Sequence, residues 1–237
     1  MGGTPPGVRM LLIASVVVFC LQEFAGRTVV GEILKIFELY PVFVVKRFFV
    51  WEVVTYLFLH GGVSHILFNM LALWMFGKDL EFEWGTQRFL KFFFTCGVVA
   101  GVCVVVLNYA FSDPYIPTVG SSGAIYGILA ASAVLWPDRV ILYGFIFPIP
   151  MKYFVWIVGA ISFFGSLNPN SGVSDIAHLG GLAVGFVLAR QRGALRGVSI
   201  GSQLRQAYRD WKLERNKKKF QVYMSKHRSD RGNGPVQ

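Results

Sequence analysis

Six apolar runs, at about 8–25, 57–77, 90–111, 122–136, 151–165 and 176–190, alternate along the chain with polar stretches. A helix needs ~17–25 predominantly apolar residues to cross a bilayer. The pattern therefore predicts an all-α, polytopic membrane protein with six transmembrane helices. The last three runs are short. Fifteen residues at the α-helical rise cover roughly 22 Å, less than the ~30 Å hydrocarbon core. A short helix beside irregular chain is tolerated at membrane depth only where neighbouring helices shelter that chain from lipid. The fourth run has this character, with SDPYIPTVGSS leading into it. The expected organisation is a short N-terminal segment (1–7), a spanning domain (8–192) and a basic tail (193–237).

Composition agrees with lipid as the solvent: 54% of the 237 residues are hydrophobic and 15% charged, against roughly 25% charged in ordinary soluble domains. The formal charge of +10 is confined to one place. From Arg190 onward stand thirteen Lys/Arg and three Asp/Glu, whereas ten of each balance before it. After a membrane body, such a tail is expected to hold the C-terminus in the cytoplasm and to touch anionic lipid, and no nucleic-acid partner is expected. Six spans then put both termini on the cytoplasmic side. Lys78, Arg88 and Lys91 after the second run, and Arg139 and Lys152 after the fourth, agree. The first loop is the exception, with Arg27, Lys35, Lys46 and Arg47 on the predicted outer side. Its interleaved charges and aromatics suggest a structured, partly interfacial element. In the tail, Leu204, Tyr208 and Trp211 fall at helical spacing and suggest an amphipathic surface helix. The N-terminus carries neither a small-residue cleavage site nor an Arg- and Ser-rich transit pattern, so the first run is expected to be retained. With no targeting segment, a bacterial cytoplasmic membrane is the expected location. Cys20, Cys96 and Cys103 lie inside apolar runs without metal-ligand spacing.

Polar residues inside such runs are costly and point to function. They gather on the second, fourth and sixth runs. His65 and Asn69 are four apart, on one helix face. Ser121 and Ser122 open the fourth run, with Tyr126 one turn on, and His178 stands near the start of the sixth. Gly123, Gly127 and Ala131 form one small-residue stripe, and Gly181 and Gly185 a G-x-x-x-G. Small-xxx-small faces let membrane helices approach closely. Pressing these two together would bring Ser122 within reach of His178, a nucleophile and a base. Each feature has a plainer reading: an N-cap serine, an interhelical hydrogen bond, a core histidine, a packing glycine. Other intramembrane chemistries find less support. No H-E-x-x-H string occurs, Asp113, Asp138 and Asp175 are expected in loops, and His60, His65 and His178 lack a further ligand. No metal or cofactor is expected.

At these positions the chain resembles the rhomboid intramembrane serine proteases, over roughly residues 8 to 192. The resemblance is carried by Gly120, Ser122, Gly123 and Tyr126; by His65 and Asn69 with the earlier His60; by Ala177, His178, Gly181 and Gly185; and by the run FPIPMKYF. It implies a six-helix bundle with a recessed active site and transmembrane proteins as substrates. Ser122 would be the nucleophile and His178 its base, with no acidic third member. The Ser122 N–H and the His65 and Asn69 side chains would bind the oxyanion, and Tyr126 would orient His178. Gly120 and Gly123 would allow close backbone approach. Glu81 would match a structural glutamate. The fifth run and SLNPNSGVSD would form a mobile side and cap. One departure is Trp51-Glu52, where the family often has Trp-Arg, a change expected to affect loop packing. A catalytically silent relative that escorts membrane helices is the alternative, and such a protein should lack the serine or the histidine.

Overall fold

The computed structural model describes residues 3–26, 28–143, 146–167 and 174–196. The tail positions Leu204, Tyr208 and Trp211, Arg27, and most of the SLNPNSGVSD loop lie outside the described residues. By internal contacts the chain divides into units 1–193 and 194–237.

Helix α1 is Pro6–Ala25. The first loop follows, with α2 (Val29–Leu34), a 3₁₀ turn (Lys35–Phe37), α3 (Pro41–Arg47), α4 (Glu52–Thr55) and a second 3₁₀ turn (Tyr56–Phe58). Next comes one continuous rod: α5 (Val63–Ala72), a π-helical turn (Leu73–Gly77) and α6 (Lys78–Trp84). Helices α7 (Thr86–Phe111), α8 (Ser122–Leu135), α9 (Met151–Ser166) and α10 (Ser174–Arg196) complete the bundle.

Among the described residues, α1 and α7 are each long and apolar enough to cross a membrane alone, and Glu52–Phe58 with Val63–Trp84 passes as a pair bent by 95°. That bend turns 52–58 across the axis of the 63–84 rod, which by itself covers roughly 33 Å. The spanning part is therefore the rod, and 52–58 belongs to the first loop. Large apolar side chains face outward along α1 (Ile13, Val17, Leu21, Phe24) and α9 (Trp156, Ile161, Phe164), while Ser15 and Ser162 of the same helices are buried. An apolar outside with polar groups turned inward suits lipid.

Three differences from the sequence expectations bear on the site and its surroundings. The second helix starts at Val63, because Gly61 and Gly62, the latter at φ +153°, interrupt a run whose hydropathy begins earlier. The sixth extends over Ser174–Arg196, so Asp175 lies in its first turn, not in a loop. Between α8 and α9, strands β1 (Val140–Tyr143) and β2 (Phe147–Pro150) pair antiparallel, Val140 opposite Pro150 and Tyr143 opposite Phe147, a small sheet inside an otherwise helical chain.

Helix α8 is central. Gly123, Ala124, Ile125, Gly127, Ile128, Leu129, Ala130, Ala131 and Ser132 are all buried. Its 14 residues reach only roughly 21 Å, which is tolerable because its neighbours enclose it. Two carboxylates stabilise backbone ends elsewhere. Glu81, buried, accepts from Gly7 N at 2.8 Å, Val8 N at 2.7 Å and the Thr86 hydroxyl at 2.6 Å, so it caps the free N–H groups that open α1. Hydrogen bonds to a charged acceptor contribute ~1.5–3 kcal/mol each.

Glu52 does the same for α3, accepting from Tyr40 N at 2.9 Å, while its Oε1 is buried without a partner among the described residues. Desolvation pushes its carboxyl up to about 7 from 4.5, against the pull of the Tyr40 N–H and with help from Glu38. Between those two values the folded loop keeps a proton that the unfolded chain has released, so this group's contribution falls as pH rises through the window. Wild-type protein is expected to lose a few degrees of thermal midpoint between about pH 5 and about pH 8. Glu52→Gln keeps an acceptor for Tyr40 and should remove that component. Equal pH slopes in both proteins would refute the assignment.

Candidate active site

Three helix N-termini, those of α5, α8 and α10, converge at one end of the bundle, and each brings a polar side chain. The chain before α8 is held by the first loop. Leu39 and Thr118 exchange backbone hydrogen bonds at 3.0 and 2.9 Å, Val42 N donates to Pro114 O at 3.1 Å, and Gly120 N donates to Tyr56 O at 2.8 Å. Tyr56 is itself fixed by its hydroxyl, which donates to Gly97 O on α7 at 2.7 Å. The approach to Ser122 is thus pinned on both sides before the helix begins.

Glycines set the helix spacing. A Cβ on Gly181 would strike the carbonyl of Gly123, and one on Gly185 the backbone of Gly127. On the α7 side, a Cβ on Gly123 would lie 2.7 Å from Ala100 Cβ, and one on Gly127 2.6 Å from Cys96 Sγ. Helix α8 is therefore clamped between α7 and α10 at backbone contact. Across the α8–α10 seam, His178 Nε2 stands 2.9 Å from Ser122 Oγ. The Tyr126 ring stacks on the imidazole, with centroids 4.2 Å apart and planes at 1°. Ser121 is buried, and its hydroxyl has no partner among the described residues.

Gly120 has φ +111°, a left-handed conformation that L side chains rarely adopt. A Cβ there would also fall 2.8 Å from His65 Nε2 and 3.5 Å from Asn69 Nδ2. Both side chains of α5 therefore press on the backbone two residues before Ser122. Gly61 N donates to His65 Nδ1 at 3.3 Å, so Nδ1 is the lone-pair nitrogen and Nε2 carries the proton. The Asn69 Nδ2 donor is buried without a partner among the described residues. Two unspent N–H donors thus face the same spot beside Gly120. His60 stands outside this pair. It is buried, its N–H and C=O are clasped by the Gln22 side chain at 3.0 and 3.4 Å, and its ring meets that of His65 edge-on at 5.3 Å. Its place is to tie α1 to the start of α5 and back the His65 ring.

Two residues near His178 were not read from the sequence as site residues. Ser162, on α9, is buried with its Oγ 3.3 Å from His178 Nδ1 and 3.2 Å from the Tyr126 hydroxyl. Asp175 places Oδ1 3.7 Å from the same Nδ1, an ionic neighbour beyond hydrogen-bond reach. The i, i+3 spacing of Asp175 and His178 was a usable signal, hidden by the placement of Asp175 in a loop. Ser162 carried only the weak signal of one hydroxyl in an apolar run. Among the described residues, no three His, Cys, Asp or Glu side chains cluster as a metal site would require. Cys96 is buried, Cys103 half-buried and Cys20 exposed, and none of the three is in a disulfide.

Residues 47–193 match the Rhomboid domain family. The chain is 29% identical over 203 residues to the rhomboid protease GluP of Bacillus subtilis, covering 85% of this chain and 38% of that protein. It is 33% identical over 170 residues to rhomboid-like protease 5 of Toxoplasma gondii, covering 68% of this chain and 19% of that protein. To the rhomboid protease GlpG of Salmonella choleraesuis it is 26% identical over 195 residues, 78% of this chain and 62% of that protein. The chain spans less than two thirds of the length of each of these relatives.

Proposed function

The chain belongs to the rhomboid family, and on that premise we propose that this multi-pass membrane protein is a serine endopeptidase cutting peptide bonds in or beside transmembrane segments of other proteins. The observation that carries the reading is the 2.9 Å approach of His178 Nε2 to Ser122 Oγ under the stacked Tyr126 ring.

The reaction is acyl transfer. As Ser122 Oγ attacks the scissile carbonyl, its proton passes to His178 Nε2. The carbonyl oxygen becomes an oxyanion received by the Ser122 N–H, His65 Nε2–H and Asn69 Nδ2, the last a buried donor with no other partner among the described residues. Donors aimed at developing charge in a site shielded from water are typically worth 10²–10³ in rate each. The tetrahedral species collapses as His178 gives the proton to the leaving amine, which departs with one half of the substrate. Water, deprotonated by His178, then attacks the acyl ester, and Ser122 is regenerated. Tyr126 stacks on one face of the imidazole and holds its plane.

A substrate must present extended backbone to Ser122, so membrane helices that unwind easily are the preferred class. Placement of both termini in the cytoplasm, with the basic tail on anionic lipid, follows from the charge pattern and puts the site near the outer face of a cytoplasmic membrane. The silent-relative reading has less support, because serine and histidine are both present and in hydrogen-bond contact.

The test is covalent. Purified protein in detergent is treated with a serine-directed fluorophosphonate, digested and mapped. A single adduct on Ser122, absent from His178→Ala protein, is expected. Adducts spread over several serines, or labelling indifferent to His178, would end the proposal.

A further inference from the structure

A base must present a bare lone pair to the group it deprotonates. Neutral imidazole has one protonated and one bare nitrogen, and its neighbours decide which is which. Around His178 the neighbours are informative. Ser162 Oγ donates its one hydrogen to the Tyr126 hydroxyl at 3.2 Å. Towards His178 Nδ1, 3.3 Å away, it can therefore only accept. Asp175 Oδ1, 3.7 Å from Nδ1, is acceptor-only when ionised and favours a proton at the same place. Both groups put the hydrogen on Nδ1, which leaves Nε2 bare and facing Ser122 Oγ at 2.9 Å. The opposite tautomer would make Nε2–H a donor to Ser122 Oγ, leaving no lone pair there to take the serine proton, and would turn the Nδ1 lone pair on two acceptors.

From this geometry we infer that Ser162 is a positioning residue: it fixes His178 in the tautomer able to take the proton from Ser122, and it couples that competence to the seating of α9. The inference rests on the Ser122–His178 reading. Its structural content is that α9 reaches the dyad through this buried hydroxyl, while Trp156, Ile161 and Phe164 of the same helix face outward. Movement of α9 away from α8 would take the acceptor with it.

The test has two arms. In the first, ¹⁵N NMR of histidine-labelled protein, with the His178 resonances identified by their loss in His178→Ala, reports which nitrogen is protonated. Wild type is expected to carry the proton on Nδ1, and Ser162→Ala to populate both tautomers. A wild-type proton on Nε2, or an unchanged spectrum in the variant, overturns the inference. In the second arm, Ser162→Ala is expected to lower kcat about five- to tenfold, the usual worth of one net hydrogen bond, with KM unchanged. Ser162→Thr should recover kcat because it restores the hydroxyl. If Ser122→Ala abolishes cleavage but Ser162→Ala cleaves at the wild-type kcat, only the role of Ser162 is refuted. If Ser122→Ala cleaves like wild type, the dyad itself falls, and Ser162 with it.

Discussion

Ser122→Ala is expected to reduce cleavage of a transmembrane substrate in detergent by at least ~10⁴-fold, the scale on which serine hydrolases lose activity without their nucleophile. The fold should survive. The half-buried hydroxyl makes one observed hydrogen bond, to His178, and a net hydrogen bond contributes only about 1 kcal/mol. A thermal midpoint within a few degrees of wild type, measured on the same sample, separates lost chemistry from lost structure. Ser121→Ala is the matched control. That residue is buried one position earlier with its hydroxyl unpartnered among the described residues, so the variant should keep most of its activity. Loss confined to Ser121→Ala would move the nucleophile by one residue. Wild-type cleavage by Ser122→Ala would remove it altogether.

The second large effect lies at the helix seam. Gly181→Ala adds one methyl where the Gly123 carbonyl already stands. The obstacle is backbone, so α8 and α10 must separate. Overpacking of this kind costs about 1–3 kcal/mol. The larger loss is in geometry. Gly123 adjoins Ser122 and Gly181 lies one turn beyond His178, so the separation acts directly on the 2.9 Å contact. Misplacement by about 1 Å can cost ~10²-fold in rate, and a drop of that order is expected in kcat. Gly159→Ala offers the contrast. Its new Cβ would meet Leu182 at 3.5 Å, an ordinary contact, and activity should be close to wild type. Equal activities in the two variants would show that backbone-level contact between α8 and α10 is not what the site needs.

Much of this seam was legible in the sequence because its determinants are local. Glycines four apart place small residues on one face whatever the surroundings, and a hydroxyl and an imidazole at helix starts fall at one level once the spans alternate. What was not legible is non-local or ambiguous. The pairing of Leu39 with Thr118 joins segments far apart in the chain, and nothing in either segment announces it. Ser162 reads like any hydroxyl bonded back to its own helix, as Ser132 is to Ile128 O; its partners are 36 and 16 residues away. The strand Phe147–Pro150 is apolar and adjoins a helix, and hydropathy alone does not separate a short apolar strand from a helix end. Hydropathy also ran through Leu57, Phe58 and Leu59, while backbone freedom at Gly61 and Gly62 decided where α5 begins. The Glu52 departure did act on the first loop: its carboxylate caps Tyr40, the residue that leads into α3.

The carboxylate of Glu81 also bears on how the chain is assembled. The amides it receives, Gly7 and Val8, are made 74 and 73 residues earlier. During synthesis, the peptide groups that open α1 therefore wait for their acceptor until the rod carrying Glu81 has emerged and turned back beside them. The opening of α1 is locked only once Glu81 has been made, and a ribosome-stalled fragment ending before residue 81 should hold that segment loosely enough for a protease to find it.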